Sequence, residues 1–150
     1  MSDTISEELT QVQDSESVPA FGYELIREVL IPELLGSDTH EILYWAGKKL
    51  ARKFPLQSLP EIIDFFKRAG WGDLSIKSET KKELELELSG SLITQRIKNH
   101  EPHYFQIEAG FLAEQIEMQK QVIAETFEHP RKRNGRILFT VKWDIKDSIL

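Results

Sequence analysis

Residues Glu83-Leu84-Glu85-Leu86-Glu87-Leu88 alternate strictly between carboxylate and leucine. Successive side chains of a β-strand point to opposite faces, so this run predicts a strand with its leucines inward and its glutamates in water. A sheet with one covered and one wet face is the frame into which the rest of the chain must fit. Leu74 to Glu79 reads as the strand before it. A second strand pair follows at Val122 to Glu128 and Arg136 to Asp144, joined by a basic turn, with Ile137, Phe139, Val141 and Trp143 on one face of the last strand. Between the pairs, Asn99 reads as the cap of a helix with Pro102 in its first turn, running to about Gln119. Ser91 to Lys98 leans towards a short helix. The order predicts an α+β fold: an antiparallel sheet of about four strands with helices packed on it.

The first half supplies the other helices. Phe21, Leu25, Ile26, Val29, Leu30, Leu34 and Leu35 form a helical stripe, which Pro32 is expected to kink or divide. Gly36-Ser37-Asp38 gives a stop and a fresh start. The next helix, about Thr39 to Phe54, places Ile42, Leu43, Ala46, Leu50 and Phe54 together. Gly47 in its middle costs about 1 kcal/mol against alanine. Such a residue persists where something must come close: another backbone, which is the favoured reading, or a ligand. Ser58-Leu59-Pro60-Glu61 has capping-box spacing ahead of Ile62, Ile63, Phe65 and Phe66, and Gly70 ends that helix.

With 150 residues the chain makes one core. Residues 1–19 are expected to be a disordered acidic tail and 20–150 a single domain. Five acids and no base lie in the first twenty residues; beyond them 20 acids face 19 bases, so the body is almost neutral. That balance argues against a nucleic-acid binder. The absence of cysteine excludes disulfides, thiolate nucleophiles and cysteine-ligated zinc. No apolar run approaches a membrane span and no secretory signal is visible, so a cytoplasmic protein is expected.

Few residues suggest chemistry. Glu108 and Gln115 fall at the centre of the apolar side of the fourth helix, beside Tyr104, Phe105, Phe111 and Leu112, while Gln106, Ala113 and Glu117 lie opposite. A carboxylate aimed at the core is costly unless it is paired or lines a pocket. Arg96, His100 and Lys48 are the candidate partners, and a structural ion pair is favoured over a ligand-facing or acid–base role. His100 and His103 have a spacing that could share a metal, but the start of the helix disrupts it and no acidic ligands accompany them. Arg131, Lys132 and Arg133 sit on a hairpin tip closed by Asn134-Gly135, either solvated or touching an anionic surface or a partner. There is no phosphate-binding glycine loop, no nucleophile elbow and no paired-carboxylate motif. The reading is of a protein that is not an enzyme, with no metal and no cofactor.

The helix bearing Phe105-x-x-Glu108-x-Gly110-Phe111-Leu112, the hairpin with Glu125 and Gly135, and the early Tyr44-Trp45-Ala46-Gly47-Lys48 together resemble the four-vinyl-reductase domain. That group includes bacterial small-molecule sensor domains and subunits of the TRAPP vesicle-tethering complex. More narrowly, residues 20 to 146 resemble the YslB-like proteins of Gram-positive bacteria. The wider resemblance implies a TRAPP-like α+β domain that often dimerises through helices, often holds an apolar ligand cavity, and has no catalytic centre. Members that bind metal or carry an acyl group use cysteines near the final hairpin. Glu128 and Phe139 stand nearest those positions here, so neither chemistry carries over. Ala113 or Glu114 stands where a second glycine is expected.

Two functions follow. In the favoured one the chain is a non-enzymatic protein-interaction module and a homodimer, whose first two helices offer apolar stripes to a partner. In the alternative it is a sensor-type domain that binds a small apolar or amphipathic ligand, with Trp45, Gly47, Trp71, Glu108 and Phe111 lining or closing the pocket.

Overall fold

The computed structural model describes residues 17–99, 105–131 and 134–148. Most of the acidic tail, His100, Tyr104, Pro102 and His103, and the hairpin residues Lys132 and Arg133 lie outside the described residues.

An N-terminal arm comes first. It is α-helical over Ala20–Glu24, π-helical over Leu25–Leu30 and α-helical again over Ile31–Leu35. A 3₁₀ turn, Gly36–Asp38, leads into α1 (Thr39–Lys53), followed by α2 (Leu59–Arg68), β1 (Asp73–Glu79), β2 (Glu83–Ser89), α3 (Ser91–Asn99), α4 (Gln106–Lys120), β3 (Val122–Arg131) and β4 (Arg136–Ser148). The four strands form one antiparallel sheet in the order β1-β2-β4-β3. Leu84, Leu86 and Leu88 are fully buried and pair with Val141, Phe139 and Ile137, so the alternating strand sets the inner face as its pattern requires.

α4 lies on that inner face, and α1 covers α4. This differs from the expected one-sided helix: Gln106, Ala113 and Glu114 are buried along with Phe111 and Leu112. The helix is central because a second helical layer covers its polar side. Asn99 ends α3 rather than capping α4, whose first residue follows Phe105. Ser58 caps α2 as expected, its hydroxyl accepting from the Glu61 N–H.

Two glycines determine how close the layers come. A Cβ at Gly47 would fall on the Ile107 carbonyl and 2.9 Å from the Phe111 nitrogen; one at Gly110 would fall on the Tyr44 carbonyl and 3.2 Å from the Lys48 nitrogen. Each helix therefore uses its glycine to admit the other's backbone. The buried stripe of α1 is accordingly Thr39, Leu43, Gly47 and Ala51, turned away from the expected Ile42 side, and Ile42 is exposed.

The outer edge of β3 is closed by side chains from both helices. Tyr44 accepts from the Thr126 N–H at 3.1 Å, and Glu117 accepts from the Ala124 N–H at 3.1 Å. A free edge would template pairing with other chains, and these caps remove two of its donors.

Pro32 neither breaks nor divides the arm. Lacking an N–H, it cannot donate to the carbonyl one turn back. The π stretch just ahead absorbs the mismatch, with Ile31 N–H donating to Ile26 O.

Candidate functional site

The arm is amphipathic, and it is mounted inside out. Phe21, Leu25, Ile26, Val29, Leu30 and Leu34 are 43–73% exposed, whereas Arg27 is 6% exposed and the Glu28 side chain 2%. A surface helix ordinarily buries its apolar stripe and leaves its charges in water. The π turn contributes to this inversion: it holds more residues per turn than an α-helix, which brings the neighbours Arg27 and Glu28 closer together in angle, so both face the body.

The charges they bring inward meet a complementary pair. Arg27 donates to the carboxylate of Glu108 on α4, and Arg96 on α3 donates to Glu28. Arg96 also stands 3.7 Å from the second oxygen of Glu108, which closes the chain Arg27–Glu108–Arg96–Glu28. Two cations and two anions balance. Glu108 is fully buried, Arg96 is nearly so, and the guanidinium of Arg96 lies 4.0 Å over the ring of Phe105. Arg27 also donates to the Tyr23 hydroxyl at 2.8 Å. Burial, the largest single influence, would lower the Arg27 guanidinium, but the charge and hydrogen bond of Glu108 together with Tyr23 and Glu28 outweigh it and hold the group above its ordinary value. Burial likewise raises the Tyr23 hydroxyl, with Arg27 opposing it.

A further carboxylate lies nearby. Glu128 is on the inner face of β3, opposite Phe139. Burial pushes its carboxyl up to about 7, a hydrogen bond from the Gln106 side chain works against the rise, and the charge of Glu108 adds to it. His40, at the start of α1, approaches it to 4.0 Å.

The residues proposed to line a pocket do not converge on one cavity. Phe111 and Trp71 meet edge to face at 5.2 Å, Phe65 stacks on Phe111 at 4.7 Å, and Phe66 packs against both. Gly47 touches the α4 backbone beside Phe111. Glu108, one turn earlier, serves the arm. Trp45 is 59% exposed on the outer side of α1, with the Lys49 ammonium 5.4 Å from its ring, because the buried stripe of α1 runs along the opposite face. Gln115, also expected at the core, pins the loop after α1: it accepts from Leu56 N–H and donates to Phe54 O. Lys48 pairs with Glu114 and Glu117 rather than with Glu108.

On the uncovered face of the sheet, Glu83, Glu85, Phe127, His129, Thr140 and Lys142 line an open depression of about 320 Å³. At the hairpin tip, Arg131 is exposed and its carbonyl accepts from both Asn134 and Gly135 N–H, while Arg136 pairs with Glu87 at 3.0 Å. Among the described residues no helix is long and apolar enough to cross a membrane.

The sequence pointed to Glu108 and Arg96, and to Glu128 only as the residue nearest a position where relatives carry cysteine; it did not point to Arg27, Glu28 or Tyr23. The one available signal was the doublet Arg27-Glu28 inside an otherwise apolar stripe, which reads as solvated unless the helix is known to be inverted.

Similarity to known proteins agrees with this fold. Residues 20–142 match a family described as protein of unknown function, DUF2507. The chain is 51% identical over 130 residues to the uncharacterized protein YslB of Bacillus subtilis (strain 168), covering 87% of this chain and 88% of that one. Its fold is similar to that of a vinyl-4-reductase family protein from Methanocaldococcus jannaschii, with a TM-score of 0.66, 21% identity, and coverage of 90% and 88% of the two chains. A trafficking protein particle complex subunit 3 from Naegleria fowleri, covalently bound to palmitic acid, aligns at a TM-score of 0.47 and 12% identity over 95% and 96% of the chains. The extent of the family match and the identity to YslB place the chain plainly: it belongs to the DUF2507 family.

Proposed function

We propose that this chain is a non-enzymatic interaction module that self-associates through the outward face of its N-terminal arm. The observation that carries this reading is the inverted arm. Six large apolar side chains on one helix face water while the same helix buries an arginine and a glutamate. Together the six offer several hundred Å² of apolar surface, on the order of the ~800 Å² that each partner gives to a standard interface. Ile42 and Trp45, exposed on α1 just beyond the turn, extend the set. A patch that meets its own copy about a two-fold axis needs no second protein to be satisfied. The wider resemblance to the four-vinyl-reductase domain, whose members often dimerise through helices, supports the same reading.

The ligand-pocket reading has less support, because the rings of Phe65, Phe66, Trp71 and Phe111 occupy one another's space. Sedimentation of the full chain across a concentration series tests the proposal. A dimer that Ile26→Glu converts to a folded monomer is the expected result; a chain that stays monomeric at every concentration refutes self-association.

A further inference from the structure

The arm and the body are joined by an unusual set of contacts. No arm side chain belongs to the hydrophobic core, whose members run from Ala51 to Trp143. The most deeply buried arm side chains form ion pairs, Arg27 to Glu108 and Glu28 to Arg96, with Tyr23 supporting Arg27. The core cluster thus closes without an arm side chain, and the arm's most deeply buried side chains meet the body through charge. If the arm leaves, Arg96 and Glu108 remain 3.7 Å apart and still satisfy each other in part.

The connection is a short exposed turn, Gly36–Asp38. Gly36 has φ +60 and ψ −133, a backbone conformation that glycine adopts freely, and a Cβ there would meet nothing within 4 Å. The three residues of the turn are exposed, and the Thr39 hydroxyl and N–H at its end both donate to the Gly36 carbonyl. Opened out, its three residues span about 10 Å. In a dimer formed through the arms, each arm already lies at the boundary between copies, and the seat of the partner presents the same Arg96–Glu108 pair as its own.

We propose that the arm is exchangeable: in the self-associated protein each arm seats its Tyr23–Arg27–Glu28 set on Arg96 and Glu108 of the partner copy, with Gly36–Asp38 as the hinge. This inference rests on the self-association reading. The seat contacts are the same within a chain and between chains, so exchange forfeits none of them and links the two copies twice over.

Charge mirroring tests it. One chain carries a mirrored arm (Arg27→Glu with Glu28→Arg), another a mirrored seat (Arg96→Glu with Glu108→Arg), and a control carries all four changes. Each half-mirrored chain alone faces like charges at its seat and should unfold at a lower temperature than the control. Co-expressed, the two should assemble as a one-to-one heterodimer whose unfolding temperature matches that of the control, since exchange satisfies both seats. A folded control beside a mixed pair that gives no heterodimer, or one no more stable than its parts, overturns exchange.

A second measurement keeps the wild-type charges. With a protease site inserted after Ser37, cut protein is mixed with uncut protein labelled with heavy nitrogen and examined by native mass spectrometry. Cut arms found on labelled bodies support exchange; arms that stay with their own bodies overturn it, whatever the control does. A wild-type dimer without exchange refutes only this inference. A wild-type monomer removes the self-association reading as well.

Discussion

Arg27 reaches across 81 residues of sequence to donate its hydrogen bond to Glu108, from a helix whose Phe21, Leu25, Ile26, Val29, Leu30 and Leu34 face the other way. Two charges taken out of water recover their solvation only if both partners are present, so removing one leaves the other stranded. Glu108→Gln leaves Arg27 and Arg96 with Glu28 alone, and should cost about 3–5 kcal/mol in urea unfolding. A loss well under 1 kcal/mol would be the mark of a solvated pair, and it would remove the case for a charge-fastened arm.

Gly47 gives a test in which two effects oppose each other. Alanine there gains about 1 kcal/mol of helix propensity. Its methyl group would collide with the backbone of α4 at Ile107 and Phe111, and overpacking of this kind costs about 1–3 kcal/mol or more. Because the obstacle is backbone and cannot rotate away, the second effect should win. Gly47→Ala and Gly110→Ala should both lower the unfolding midpoint, and a rise in either would mean that the helices do not cross at these glycines.

Glu128 makes stability depend on pH in a predictable direction. Its carboxyl is raised from 4.5 to about 7 in the folded state, so folding favours the protonated form. The contribution is fully present below pH 4.5, declines as pH rises, and is lost above about 7. At about 1.4 kcal/mol per unit the swing is on the order of 3 kcal/mol. Denaturant unfolding at pH 5 and pH 8 should show wild-type losing stability across this window, while Glu128→Gln flattens the profile and is the more stable chain at pH 8. An unchanged slope in the variant would assign the pH dependence to another group.

The sheet was legible because one strand carries its own burial pattern: Leu84, Leu86 and Leu88 fix the inner face, and Ile137, Phe139, Val141 and Trp143 match it across the ladder. β3 gave no such signal. Its inward residues include Ala124, Thr126 and Glu128, while Ile123 and Phe127 face out, so apolar alternation points to the wrong face. Glu108 was recognised as a carboxylate in need of a partner, because helical geometry places it among apolar residues whatever surrounds the helix. Arg27 was not, since its burial depends on which side of the arm meets the body, a tertiary fact that the apolar stripe misrepresents. Ile42 was expected on the buried side and is exposed for a related reason: the stripe of α1 follows the contact at Gly47, which is set by α4 rather than by the hydrophobicity of α1 itself.

The most direct measurement of the central claim is sedimentation of the full-length protein beside Ile26→Glu and Leu30→Glu, with circular dichroism as a check on folding. If the outward face of the arm is covered by a second copy, the wild-type sediments as a dimer and both variants as monomers with unchanged helical signal. A wild-type that remains monomeric throughout, or variants that dimerise as tightly as wild-type, would contradict the account.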